Sequence, residues 1–240
     1  MKKKKIYSFF YRKENTEIFV YLINKKYIKI IKKKINEFQL IIKSYIKKDP
    51  YFLISIRPYF IRNKIPSIIK KMFIASLKTN TGPMSCVSGA IAYETVKYLK
   101  KIGCNFVIIN NGGDIAIYNT IKDNNLTMKI YTGTSHFENI RVTIKKHKKI
   151  FGICTSSSTI GRSISFGNAD SVTVFSEDVI LADAAATSIC NSLKGNSKKE
   201  INKSLLNIKF IKGISSIIII KNKNIGIIGK KQSFYEINNF

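Results

Sequence analysis

A chain of 240 residues with 45% hydrophobic residues is long and apolar enough to bury one sizeable core, which excludes a persistently disordered protein. Its charge is lopsided: 42 Lys and Arg oppose 14 Asp and Glu, a net of +28, which would draw phosphate-bearing partners. Only five basic residues are Arg (Arg12, Arg57, Arg62, Arg141 and Arg162), and Ile and Asn abound beside Lys, so an AT-rich coding bias explains the excess at least as well as selection does and makes nucleic acid a disfavoured partner.

The basic run Met1–Lys5 opens onto apolar Ile6–Tyr11, which Arg12-Lys13-Glu14 cuts short of an export signal. No apolar span of about 18 residues follows, so neither a membrane crossing nor a membrane partner is expected, and the location expected is cytoplasmic. Thr16–Ile23 is predicted to be a strand, being β-branched and aromatic without a breaker. A helix is predicted over 26–47, where Ile28, Ile31, Ile35, Phe38, Ile42 and Tyr45 recur every three or four positions opposite a solvated lysine face. Asp49-Pro50 ends it.

A short helix is expected at Pro66–Leu77 with Pro66 at its first position. The breaker-rich Gly82–Gly89 then leads into a second strong helix whose Gly89, Ala90 and Ala92 permit close approach, with Gly103 as its stop. Strands are predicted at Phe106–Asn110 and Ile115–Tyr118 around Asn111-Gly112-Gly113-Asp114, then at Met128–Thr132, Ile140–Ile144 and Ser171–Phe175. A third main helix, Val179–Leu193, precedes strands at Ile208–Ile211, Ile214–Ile220 and Ile225–Ile228. Elements in blocks, without βαβ alternation, indicate an α+β class: one domain over 1–240 with mixed or antiparallel sheets packed against three main helices. Within it, 1–81 is a basic strand–helix portion and 82–240 carries the motifs. Residues 1–75 hold 20 basic and 4 acidic side chains, whereas 150–195 hold 2 basic and 4 acidic, so the lysines avoid the segment with the candidate chemistry.

Three constellations could carry that chemistry. On a helix Asp183 and Thr187, four apart, share a face, and two hard oxygens there suit Mg²⁺; alternatively Asp183 only favours the positive end of its own helix. The turn Asn111-Gly112-Gly113-Asp114 either exposes backbone to a ligand or simply closes a hairpin. The run Cys154-Thr155-Ser156-Ser157-Ser158-Thr159, with Gly161 and Arg162 beyond it, either binds an anion or is a solvated loop. Cys154 has no neighbouring base and reads as inert, and His136 and His147 read as surface residues outside any nucleophile motif. No P-loop, GxGxxG or zinc pattern is present, and the four cysteines lack CxxC spacing, as in a reduced chain.

Taken in order, these segments resemble the ApbE-like superfamily, and most of all its compact cytoplasmic members from archaea and some bacteria. Gly82–Glu94 (GPMSCVSGAIAYE) looks like the small-residue entry to a helix near the flavin, and Asn110–Asp114 is similar to the NxGGD turn. Thr155-Ser156-Ser157 stands where a Thr-Ser-Gly element is expected, and Asp170–Val174 with Ala182–Ile189 resembles the SVTV strand and the AD-x-x-(A/S)-T helix. The resemblance implies a flavin transferase that uses Mg²⁺ to move FMN from FAD onto a Ser or Thr of a target protein. It implies Asp183 and Thr187 as metal ligands, with Gly112, Gly113, Asp114, Thr155, Ser156 and Ser157 around a phosphate-bearing ligand.

Two departures stand against full transfer chemistry. The HxxDPxTG-like stretch of the family has no His and no Asp-Pro in Thr159–Asn168, and the GGIAKG-like Lys is missing where Ile91-Ala92-Tyr93 stands. Catalytic residues are therefore unassigned. Two other readings follow from the residues: an accessory factor of sulfur or cofactor metabolism using Cys86 or Cys154, and nucleic-acid binding by the basic N-terminal helix.

Overall fold

The computed structural model describes residues 5–13, 16–60, 64–121, 125–132, 137, 140–158, 167–195, 197–208, 211–229 and 235–238. Expectations placed on Met1–Lys4, Arg62, His136 and Thr159–Ser163, Arg162 included, lie outside the described residues.

Alternation builds the sheet. In β2 (Thr16–Leu22) Ile18, Val20 and Leu22 are fully buried while Phe19 and Tyr21 face outward, the period of a strand with one side in a core. The segment β1 (Tyr7–Lys13) pairs with it from Tyr7↔Leu22 to Lys13↔Thr16, so the apolar run that stops short of an export signal is an edge strand. Next come β3 (Phe106–Asn111), β4 (Asp114–Asn119), β7 (His147–Ser156), β8 (Ser171–Ser176), β9 (Ile214–Lys221) and β10 (Asn224–Gly229). They form one sheet in the order β1-β2-β3-β4-β7-β8-β9-β10, antiparallel at every step. A smaller antiparallel sheet joins β5 (Leu126–Lys129), β6 (Arg141–Ile144) and β11 (Tyr235–Asn238) in the order β11-β6-β5.

The central strands of the large sheet are buried on both faces, which their sequences show as near-continuous apolar runs such as FVII in β3 and IIII in β9. Along β3 the side chains divide between two cores: Val107 and Ile109 join one, Phe106 and Ile108 the other. The first core is the helical side, where α4 (Val87–Lys101) lies on β3 and β4, and α5 (Val179–Ser192) lies on β7 and β8. Outside them, α1 (Ile28–Lys48) packs on α4, and α3 (Ser67–Thr79) packs on α5, with the one-turn α2 (Tyr51–Ile54) beside α1. The second core is closed by the small sheet, through Ile130, Ile140, Val142 and Ile144. The α+β class with largely antiparallel sheets is thus borne out.

Several elements differ from expectation, each for a packing reason. The run expected as a hydroxyl loop after Cys154 begins inside β7, and that strand escaped prediction because Gly152 interrupts its pattern. A Cβ at Gly152 would lie 2.8 Å from Val179 Cα, so the residue that weakens the strand signal is the one that lets α5 sit on the sheet. Ile208 ends a helix, α6 (Lys198–Ile208), rather than starting a strand at Ile208–Ile211; Ile201, Ser204 and Leu205 give it one buried face. Pro66 is the extended residue before α3, with φ −57° and ψ 147°, and Ser67 is the first helical residue. His147 is half-buried and within 3.1 Å of Glu177 Oε1, not a free surface residue.

One polar clamp holds the β9–β10 hairpin to the head of β8. Asp170, 4% exposed, accepts from Lys221 Nζ at 2.8 Å and from the backbone N–H of Asn222 at 2.6 Å, where Asn222 sits at φ +52°. Removing one partner of a buried pair strands the other, so Asp170→Ala should cost about 3 kcal/mol in urea denaturation. Asp170→Ala combined with Lys221→Met should recover part of that loss, because no unpaired charge then remains buried.

Candidate functional site

Two acidic residues begin the account of α5. Asp178 caps it, accepting from the Leu181 N–H at 3.1 Å, so the role of first-turn acid belongs to Asp178. Asp183 lies one turn further and does something else: its Oδ2 accepts the N–H of Gly89 at 2.8 Å, in the first turn of α4. That amide is one of the donors a helix start leaves without an intrahelical partner. A Cβ at residue 89 would stand 2.9 Å from Asp183 Cβ and 3.0 Å from Oδ2, so the contact needs a glycine.

The second carboxylate comes from the sheet. Gly112 and Gly113 form a two-residue hairpin with φ +67° and +105°, a conformation that L side chains resist, and Asp114 follows as the first residue of β4. The Gly113 N–H donates to Asn110 Oδ1 at 2.9 Å, and Asn111 Nδ2 donates to the Ser88 carbonyl at 3.1 Å, which ties the turn to the start of α4. Asp114 pairs in register with Cys154 on β7. Its Oδ1 is buried and has no hydrogen-bond partner.

Burial raises the Asp114 carboxyl well above its ordinary range, and the nearby Asp183 charge raises it further, against smaller opposing contributions from Thr155 and Cys154. Burial likewise pushes Asp183 from 3.8 up to about 7, with the Gly89 amide pulling the other way. Two buried acids that repel when ionised, one with an oxygen unanswered, are groups for which the protein itself supplies no compensating cation, so their charged forms are disfavoured.

Around them opens a cleft of about 550 Å³. The residues that the resemblance placed around a metal and a phosphate-bearing ligand all line it: Gly112, Gly113, Asp114, Thr155, Ser156, Ser157, Asp183 and Thr187. Thr155 and Ser156 reach it from the end of β7, where Thr155 Oγ1 is 2.9 Å from Thr173 Oγ1 on β8. Thr187 lies one turn beyond Asp183, with Oγ1 donating weakly to the Ser85 carbonyl at 3.4 Å. Sequence reasoning missed Lys129 and Tyr131 from the small-sheet side, Glu17 from β2, and Ser88 from α4. Ser88 falls within GPMSCVSGAIAYE without having been singled out; the others belong to no motif and meet the cleft because the layers bring them there.

Hard oxygen donors fit a hard cation. Among the described residues no cluster of three or more His, Cys, Asp and Glu could hold a metal, so the chain offers at most two carboxylates plus a hydroxyl here. That sparse set suits Mg²⁺, which keeps waters or phosphate oxygens in its remaining positions. The cysteines offer no alternative: Cys86 and Cys154 are fully buried, and burial first, then the neighbouring carboxylates, push both thiols well up. A reactive thiol at this site is not what the structure provides.

The fold around this cleft is similar to that of solved ApbE flavin transferases. The flavin transferase ApbE from Vibrio cholerae matches across 98% of this chain and 96% of its own, with a TM-score of 0.58 at 11% identity. The ApbE protein of Thermotoga maritima matches across 95% and 97%, also with a TM-score of 0.58 at 11% identity. At such identity the likeness is one of fold. Closer in sequence are a UPF0280 protein of Methanosarcina acetivorans, 36% identical over 204 residues (85% of this chain, 79% of that protein), and one of Methanocaldococcus jannaschii, 39% identical over 221 residues (90% and 88%). The family model for AbpE bacteria matches residues 1–207, and the chain belongs to that family.

Two outcomes follow. Gly89→Ala should displace Asp183 from the α4 amide and lower the thermal midpoint by several degrees, corresponding to about 1–3 kcal/mol; Ser88→Ala, one residue away, should leave it almost unchanged. The raised Asp183 value means that its neutral form is favoured by the fold. The stability this contributes is complete below about pH 4 and is lost as pH climbs through about 7, a swing of about 4 kcal/mol. In metal-free buffer, Asp183→Asn should therefore gain on the parent as pH rises across that interval, as read by thermal melts.

Proposed function

We propose that the cleft binds a phosphate-bearing ligand of the flavin class, FAD or FMN, together with Mg²⁺. The observation that carries this reading is the buried, unpartnered Oδ1 of Asp114 beside the raised carboxyl of Asp183. A divalent cation answers both, and it brings the positive charge that phosphate groups need in a cleft whose walls are otherwise acidic.

In this reading Asp183 and Thr187 hold the metal, with the free oxygen of Asp114 directed to the same ion. Gly112 and Gly113 present backbone without side chains to the ligand; a Cβ at Gly112 would meet nothing within 4 Å. The hydroxyls of Thr155, Ser156 and Ser157 lie along the cleft for the anionic part, and Lys129 is the cation among its described walls. Bound Mg²⁺ supplies charge neutralisation for phosphate oxygens.

The reading is one of binding. The His and Asp-Pro expected from the ApbE resemblance have no counterpart in Thr159–Asn168, so flavin transfer, the activity in the name of the Vibrio cholerae protein, is left without assigned catalytic residues. A cytoplasmic setting belongs to the same proposal. Among the described residues no helix is long and apolar enough to cross a membrane.

Isothermal titration with FAD, FMN and ATP, each with Mg²⁺ and with a chelator, tests the proposal. Flavin nucleotides should bind more tightly with Mg²⁺, and Asp183→Ala should remove at least about tenfold of that increment. Affinity indifferent to Asp183→Ala would eliminate the metal role, and heat from none of the three ligands would eliminate the ligand class.

A further inference from the structure

One surface outside the cleft contradicts the usual outcome of folding. The one-turn α2 is firmly anchored: Phe52 is fully buried, and the Tyr59 hydroxyl donates to Asp49 Oδ2 at 2.6 Å. The rings of Tyr51 and Tyr59 pack edge to face at 4.9 Å, and Tyr59 packs likewise on Phe73 at 5.0 Å. On this rigid base the apolar side chains point outward. Phe60 is 90% exposed, Ile54 68% and Ile56 66%, and Leu40, Tyr51 and Leu53 are each more than half exposed.

Leu40, Tyr51 and Phe60 line an open groove of about 930 Å³ between α1 and this segment, whereas Ile54 and Ile56 carry the apolar surface beyond its walls. Cations border it. Lys48 and Lys64 are among the groove walls together with Glu37 and Asp49, exposed Lys47 precedes Lys48, and exposed Arg57 follows Ile56. Apolar side chains exposed on a rigid turn and framed by lysines are the combination that binds a lipid–water interface: the tips enter the acyl boundary and the ammonium groups stay with the headgroups.

Other occupants fit less well. A second copy carries a net charge of +28 like the first and would set the lysines of this face against their own counterparts. A nucleic acid would use the lysines but has no use for six exposed aliphatic and aromatic side chains. We propose that the surface built by α2, Ile56, Phe60 and the C-terminal end of α1 docks peripherally on an anionic phospholipid membrane. Such contact needs no crossing helix.

Cosedimentation of the full chain with phosphatidylcholine vesicles, with and without about 30 mol% phosphatidylglycerol, tests this. Binding should rise at least about tenfold with the anionic lipid and fall steeply in high salt. Ile54→Ser with Phe60→Ser, and separately Lys47→Glu with Lys48→Glu, should each reduce it at least about fivefold while leaving the far-ultraviolet spectrum and thermal midpoint unchanged, since all four side chains are exposed. Equal binding to both vesicle types, or none to either, would overturn the proposal. So would lipid binding that survives both double variants, duplex DNA binding that survives the apolar pair and displaces the vesicles, or self-association abolished by the apolar pair.

Discussion

The site depends on one contact, the Gly89 amide donating to the Asp183 carboxylate where α4 meets α5. The carboxylate needs a donor because it is out of water, and the donor is available because a helix start leaves its first amides without intrahelical partners. Only a residue without a Cβ lets the two backbones come that close. Once they do, Asp183 lines the same cleft as the glycine hairpin, and the Asn111 side chain reaches the Ser88 carbonyl, so this part of the cleft wall is set by helix packing. A binding site resting on rigid elements keeps its geometry without a ligand.

Much of this was legible in the chain. The stripe through Ile31, Ile35, Ile42 and Tyr45 marked α1, and TEIFVYL marked β2, because in both cases one face is buried and the period is clean. The i, i+4 spacing of Asp183 and Thr187 placed them on one face, and both do line the cleft. What could not be read depended on neighbours distant in sequence. β7 was hidden by Gly152, which is there for Val179, and α6 was masked by an isoleucine-rich end that resembles strand. The unanswered oxygen of Asp114 is a property of packing: no spacing within NGGD reveals that three layers close over it. The hydroxyl run lines the cleft through Thr155, Ser156 and Ser157, but it begins as strand rather than loop: Thr155 and Ser156 end β7 and pair with β8, and Ser157 and Ser158 follow the strand.

The charge distribution also has a physical reading. In a protein of net charge +28, the described walls of the cleft carry Glu17, Asp114 and Asp183 against Lys129. An anionic ligand is drawn toward the molecule by the long-range field yet meets acids at the final step. On the proposed reading a cation must precede or accompany it, so the general basic surface and the acidic pocket are complementary rather than contradictory. On that same reading the lysines would serve approach, and the local acids would select for ligands that arrive with a metal.

The open ends of the large sheet bear on a different hazard. Because the order runs from β1 to β10 without closing, a row of backbone donors and acceptors at each margin could template pairing with another chain. At the β1 margin Arg12 and Lys13 stand exposed, so two such margins meeting would bring like charges together. The lysine-rich composition, whatever its origin in the coding sequence, thereby acts as a guard against fibre-like stacking of the strand that carries the exposed Phe10.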